Sequence, residues 1–122
     1  MSKQQRDIKK AQKESYFYRE FSTLFSLLTI DEPRLSGLFI NKVNLSSDGG
    51  ICTVLFLASN GKAEFEEKLP ILILYKPSLR TALAKTSQSR YVPNLIFRYD
   101  EGQEKVDKIN RLIDKLKDEG KL

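Results

Sequence analysis

The chain has 122 residues, 40% apolar and 30% charged, with a formal net charge of +5, one cysteine and no histidine. That length supports one domain, 1–122, with a modest core and fraying tails at 1–5 and 118–122. Lone Cys52 excludes an intramolecular disulfide and a cysteine metal cluster, the missing histidine removes the commonest zinc ligand and general base, and neither a signal peptide nor a membrane span is legible, so we expect a reduced, cytoplasmic, basic protein.

Residues 1–15 are polar with net charge +3. Phe17, Phe21, Leu24, Phe25 and Leu28 then follow the spacing of one helical face, which predicts a helix over about 5–28, ended by Asp31-Glu32-Pro33. Leu38 to Leu45 reads as a strand whose parity shifts between Ile40 and Val43, the mark of a bulge. The cluster Ser46-Ser47-Asp48-Gly49-Gly50 is a hairpin turn, and the β-branched, apolar run Ile51 to Ala58 is the second strand.

Phe65, Leu69, Leu72 and Ile73 return to helical spacing over about 64–75, although Pro70 leaves open a start nearer Leu69. Pro77 disfavours helical geometry at Lys76 and suits the first position of a second helix, striped by Leu79, Ala82 and Leu83. The prediction is a bent pair with its kink at Lys76, Pro77 and Ser78. Tyr91 to Asp100 reads as a third strand with Pro93 at its start or on a free edge, and Val106, Ile109, Ile113 and Leu116 mark a final amphipathic helix that stops at Gly120.

Charge is unevenly placed. Residues 68–100 carry six cations against Asp100 alone, a net +5, while 21–67 carry −3 and 101–122 carry zero. A stretch of one sign focuses potential and suits a polyanion, although a lysine-rich surface kept for solubility is the plain alternative.

Asp31-Glu32-Pro33-Arg34-Leu35, Val43-Asn44-Leu45-Ser46-Ser47-Asp48, Leu79-Arg80-Thr81-Ala82-Leu83 and Arg90 through Asp100 resemble, in order, the "DPRL", "V-x-L-S-x-D", "I/L-R-S/T-x-L" and "R-x-V-P-E-L-x-F-x-x-D" segments of the ribosome-binding factor A family, with one extra residue in Asp31-Glu32-Pro33 and Asn94 in place of Glu. The resemblance spans roughly 5–115. It implies an α+β, type II KH-like domain in the order α-β-β-α(kink)α-β plus a C-terminal helix, and a role in maturation of the small ribosomal subunit. Independently of the resemblance, the helical and strand periods converge on one core of Phe21, Leu24, Phe25, Val54, Phe56, Leu83, Leu95 and Phe97, under a mixed three-stranded sheet covered on one face by the helices. The chain departs from the family at its Ala-x-Gly kink, where Tyr75-Lys76-Pro77 stands without a glycine.

Catalysis finds little support: there is no Gly-rich phosphate loop, and a Ser or Cys nucleophile has no histidine to activate it. Cys52 reads as a buried hydrophobe, Asp48 as a turn residue, and Glu64, Glu66 and Glu67 as a solvated helix start. No catalytic residue, metal site or cofactor is expected. With the resemblance and the charge together, Lys76, Arg80, Lys85 and Arg90 are the expected phosphate contacts around the kink. Lys9, Lys10 and Lys13 read equally as contacts or as a solvated face, and Lys105, Lys108 and Arg111 as solvated surface balanced by acids. Tyr16, Tyr18 and Tyr91 are either stacking platforms or packing residues. The expected protein is a monomeric assembly factor on the immature 30S subunit and its 16S rRNA, helping late processing, with other assembly factors or a ribosome-associated GTPase as further partners and no membrane. A protein-interaction adaptor and a general single-stranded RNA binder are the alternatives.

Overall fold

The computed structural model describes residues 2–86 and 92–120. Helix α1 (Lys3–Asp31) starts inside the stretch expected to fray, because Ser2 and Gln5 close a capping box: Gln5 N–H donates to Ser2 Oγ at 3.2 Å and Ser2 N–H donates to Gln5 Oε1 at 3.3 Å. It buries Phe17, Phe21 and Phe25, one per turn. The Glu32 amide closes its last turn on the Leu28 carbonyl at 2.8 Å, and a 3-10 turn, Pro33–Leu35, redirects the chain into the sheet.

Strands β1 (Leu38–Leu45) and β2 (Ile51–Ala58) pair antiparallel, with the register shifting between Ile40 and Lys42, inside the predicted bulge. Asp48 shapes the hairpin turn by accepting from Ser46 Oγ at 2.7 Å and from the Gly50 amide at 2.9 Å, and Gly49 takes a φ of 74° that favours glycine. Strand β3 (Asn94–Tyr99) lies parallel to β2, so the sheet order is β1-β2-β3 and mixed.

Between β2 and β3 the chain crosses over through α2 (Lys62–Leu74) and α3 (Lys76–Thr86). Three details differ from the sequence reading. Pro70 lies in the interior of α2 rather than in its first turn, since burial of Phe65 and Leu72 on either side holds the helix together. Ile73, expected on the buried stripe, is 47% exposed. The break falls at Tyr75 (φ −91°, ψ −2°), one residue before the position Pro77 was expected to perturb, and Lys76 is already helical. The Tyr75 amide tightens onto the Leu72 carbonyl at 3.1 Å, and the Leu79 amide restarts the ladder on the Tyr75 carbonyl at 2.9 Å.

The resulting α+β arrangement is the KH-like order, and its core is the convergent set read from the periodicities. Phe21, Phe25, Val54, Phe56, Leu83, Leu95 and Phe97 are buried, with Leu24 packed partly against them. Phe56 is the hub, with ring centroids 5.5 Å from Phe25, 5.6 Å from Phe65 and 5.8 Å from Phe97. Each such side chain contributes about 1.5–3 kcal/mol by leaving water. Helix α4 (Glu101–Asp118) follows β3 directly, with Asp100 as its cap. Buried Asp100 is held by the Asn41 amide group at 2.9 Å and accepts from the Gln103 backbone at 3.0 Å. No residue of α4 is buried.

Candidate nucleic-acid interface

Two tyrosine hydroxyls fix α3, the helix that carries the predicted contacts, against α1. At its start, Tyr75 donates to Glu32 Oε2 at 2.8 Å; at its end, Tyr16 donates to the Thr86 carbonyl at 3.1 Å. Helix α3 therefore runs antiparallel to α1, with the kink near the C-terminal end of α1 and Lys85 near its middle. Glu32 is buried and also receives a bidentate pair from Arg34, with Nε at 2.7 Å and Nη2 at 2.8 Å. Those hydrogen bonds, from Arg34 first and Tyr75 second, hold its carboxyl down at about 2.

The cations of the 68–100 stretch do not form one patch. Lys68 is spent on Glu64 and on the Ser36 carbonyl. The Arg80 guanidinium donates to the carbonyls of Pro93, at 3.3 Å, and Val92, at 3.1 Å, tying α3 to the entry of β3 and leaving its remaining donors for a ligand. Lys76 lies 5.2 Å from the centre of the Phe97 ring. Lys85 is exposed in the last turn of α3, and Arg98 is exposed on the outer sheet face, in the row Lys42–Leu55–Arg98. Arg90 and Tyr91 lie outside the described residues.

A second cationic row is better exposed. Counting back from Phe25, Phe21 and Phe17, the same face of α1 continues through Lys13, Lys10, Lys9 and Arg6. Beyond the core the stripe thus changes from aromatic to basic. Those four residues line a groove of about 190 Å³ whose other wall is the β1–β2 turn, Leu45 through Gly49. Among the described residues none of the four has an ion-pair partner. Two carboxylates beside the row already accept hydrogen bonds: Glu14 from the Leu45 amide at 2.7 Å, and Asp48 from the turn. Lys13 sits one turn before Tyr16, so the row leads toward the end of α3 and Lys85. Such a rim of unpaired cations along a groove can track a phosphate backbone. Sequence reasoning missed Arg6; its spacing from Lys10 and Lys13 was the available signal. It also missed the Glu32–Arg34–Tyr75 cluster, in which Tyr75 stands 43 positions from Glu32 with no pattern to link them.

Cys52 is buried, and burial, aided by the Glu14 charge, pushes its thiol up to about 12, which makes it an inert hydrophobe. Glu64, expected on a solvated helix start, is instead mostly covered, accepting from the Asn60 amide at 2.8 Å as well as from Lys68. Tyr16 packs edge-on against Phe17 at 5.5 Å. On α4, Lys108 approaches Glu104 at 3.9 Å. No described group of three or more His, Cys, Asp or Glu residues could hold a metal ion, and no described helix is long and apolar enough to cross a membrane.

Comparison with known proteins agrees with this fold. The family model described as "Ribosome-binding factor A" matches residues 9–113. A relative of that name from Syntrophobacter fumaroxidans is 34% identical, over 80% of this chain and 85% of its own length. The crystal structure of ribosome-binding factor A from Thermus thermophilus is 30% identical and superposes with a TM-score of 0.61, covering 72% of this chain and 92% of that one. A homology model of the Thermus thermophilus factor, fitted into a cryo-EM map of its complex with 30S, superposes with a TM-score of 0.54 at 28% identity, over 68% of this chain and 86% of that one. The chain belongs to the ribosome-binding factor A family.

Proposed function

We propose that this protein is a non-enzymatic, cytoplasmic maturation factor that binds the immature 30S subunit through 16S rRNA and assists its late processing. The observation that carries this reading is the unpaired row Arg6, Lys9, Lys10 and Lys13, set on the overhang of α1 and leading to Lys85, in a member of a ribosome-binding family. A cationic row continuing the core stripe serves no packing purpose, and facing the β1–β2 turn it is shaped for an extended polyanion. The Thermus thermophilus relative, fitted into a map of its 30S complex, supports the choice of particle. By mass action, a factor that prefers one rRNA conformer shifts the population toward it, without cofactor or chemistry. The factor acts as a single KH-like domain and a monomer. Its release would involve further assembly factors, with a ribosome-associated GTPase as one candidate class.

A second reading, a protein-interaction adaptor, draws support from the uncovered apolar residues of α4, where Val106 is 49%, Ile109 57% and Leu112 57% exposed. One sucrose gradient of cell extract separates the two. A maturation factor comigrates with free small subunits and is depleted from 70S particles; an adaptor stays near the top of the gradient, and that distribution would overturn the ribosomal reading.

A further inference from the structure

The break between α2 and α3 lacks the glycine that would let the backbone turn freely. Tyr75 takes φ −91° and ψ −2°, on the edge of helical geometry, and every positive φ among the described residues belongs to a glycine elsewhere. The break thus stays close to helical geometry, flanked by the Tyr75 amide on the Leu72 carbonyl and the Leu79 amide on the Tyr75 carbonyl. Pro77 denies an N–H to the Ile73 carbonyl, which breaks the ladder but does not choose a direction for the second helix. A side chain anchored outside the two helices adds a further restraint on that direction.

That anchor is visible. The Tyr75 hydroxyl reaches Glu32, 43 residues earlier, at 2.8 Å. Glu32 is held in three ways: it is buried, its amide closes the last turn of α1, and its two oxygens receive the Arg34 fork at 2.7 and 2.8 Å. Arg34 itself keeps 64% of its side chain exposed, so the carboxylate is gripped from the solvent side and bonded to Tyr75 from the protein side. The hydrogen bond from Tyr75 is charge-assisted, since the carboxylate stays ionised throughout the neutral range.

We propose that Glu32 is the positioning residue of the interface: through Tyr75 it sets the direction in which α3 leaves the break, and hence where Lys76, Arg80 and Lys85 stand. The inference rests on the reading of that face as RNA-binding. It differs from a general stabilising role in a measurable way. A variant that merely unfolds more often binds with fewer active molecules but makes the same phosphate contacts when it binds. A variant whose α3 points elsewhere loses contacts, and each lost contact lowers the slope of log affinity against log salt by about 0.7–0.9.

The test compares the wild-type chain with Tyr75→Phe, which removes one hydroxyl and keeps the ring, and with Glu32→Gln, which keeps an acceptor but loses the charge. Binding to a full-length 16S rRNA transcript is measured over a series of salt concentrations, with amide hydrogen exchange across 75–86 recorded on the free proteins. Tyr75→Phe is expected to bind at least about fivefold more weakly at moderate salt, with a slope lower by about one contact, and to exchange faster along α3. Glu32→Gln is expected to fall between it and wild type. A Tyr75→Phe protein with wild-type slope, whatever its affinity, overturns the positioning role while leaving the RNA-binding reading intact. If the wild-type chain itself shows no salt-dependent binding, the RNA-binding reading fails instead. Exchange then decides whether Tyr75 restrains α3: unchanged rates would overturn the restraint as well.

Discussion

Helices α1 and α4 are the two long helices of the molecule, and they put apolar residues to opposite use. Helix α4 has the cleaner pattern: Val106, Ile109, Ile113 and Leu116 recur on one face, with acids in its first turn and lysines in its last. Yet it buries none of them. The apolar pattern in α1 covers only its second half, from Phe17 to Leu28, and it buries three phenylalanines against the sheet. Periodicity thus predicts that a segment is helical, not that anything covers its apolar face. The same pair separates two kinds of surface charge. On α1, Arg6, Lys9, Lys10 and Lys13 form an unpaired row; on α4, each cation stands among acids and residues 101–122 sum to zero.

The comparison breaks first in the core. Phe21→Ala on α1 should cost about 3–5 kcal/mol, by lost transfer energy and an unfilled cavity. Ile109→Ala on α4 should move stability by no more than about 0.5 kcal/mol. Urea denaturation of both variants measures this, and a large loss at Ile109 would mean that α4 packs against something in solution.

Charge gives the next largest effect. Reversing Lys9, Lys10 and Lys13 to glutamate should lower the salt slope of rRNA binding by about two units. Affinity at physiological salt should fall about a hundredfold, roughly 2.7 kcal/mol. The melting temperature should hardly change. The same reversal at Lys105, Lys108 and Arg111 should cost little affinity; equal losses from the two sets would show that net charge alone drives association.

The smallest effect sharpens the role of the end of α1. Glu32 is held at about 2 when folded, against an ordinary value of 4.5. Its contribution to stability is therefore present in full above pH 4.5 and disappears as pH falls toward 2. Glu32→Gln should be less stable than wild type at about pH 6, and the two unfolding curves should converge near pH 2. Curves that stay parallel across that range would place the stabilisation elsewhere.

Much of this protein was legible before any coordinates. The elements, the bulge after Ile40, the Asp48-Gly49 turn, the core from Phe21 to Phe97 and the break near Pro77 all come from rules acting within a dozen residues: periodicity, turn chemistry and the missing proline N–H. The family resemblance also lay in short ordered segments. Which cations are free was not legible, because a salt bridge or a carbonyl contact joins residues whose separation carries no pattern. Arg80 counted as a free fork until the Val92 and Pro93 carbonyls stood beside it, and Lys68 as part of a basic run until Glu64 and the Ser36 carbonyl did. Tertiary structure alone decided that Tyr75 meets Glu32, that the basic half of α1 overhangs the hairpin turn, and that the apolar face of α4 stays bare. Local sequence sets the preferences of each segment. Only the closing of the core brings distant side chains within hydrogen-bonding distance, and that closure determines which charges remain for a partner.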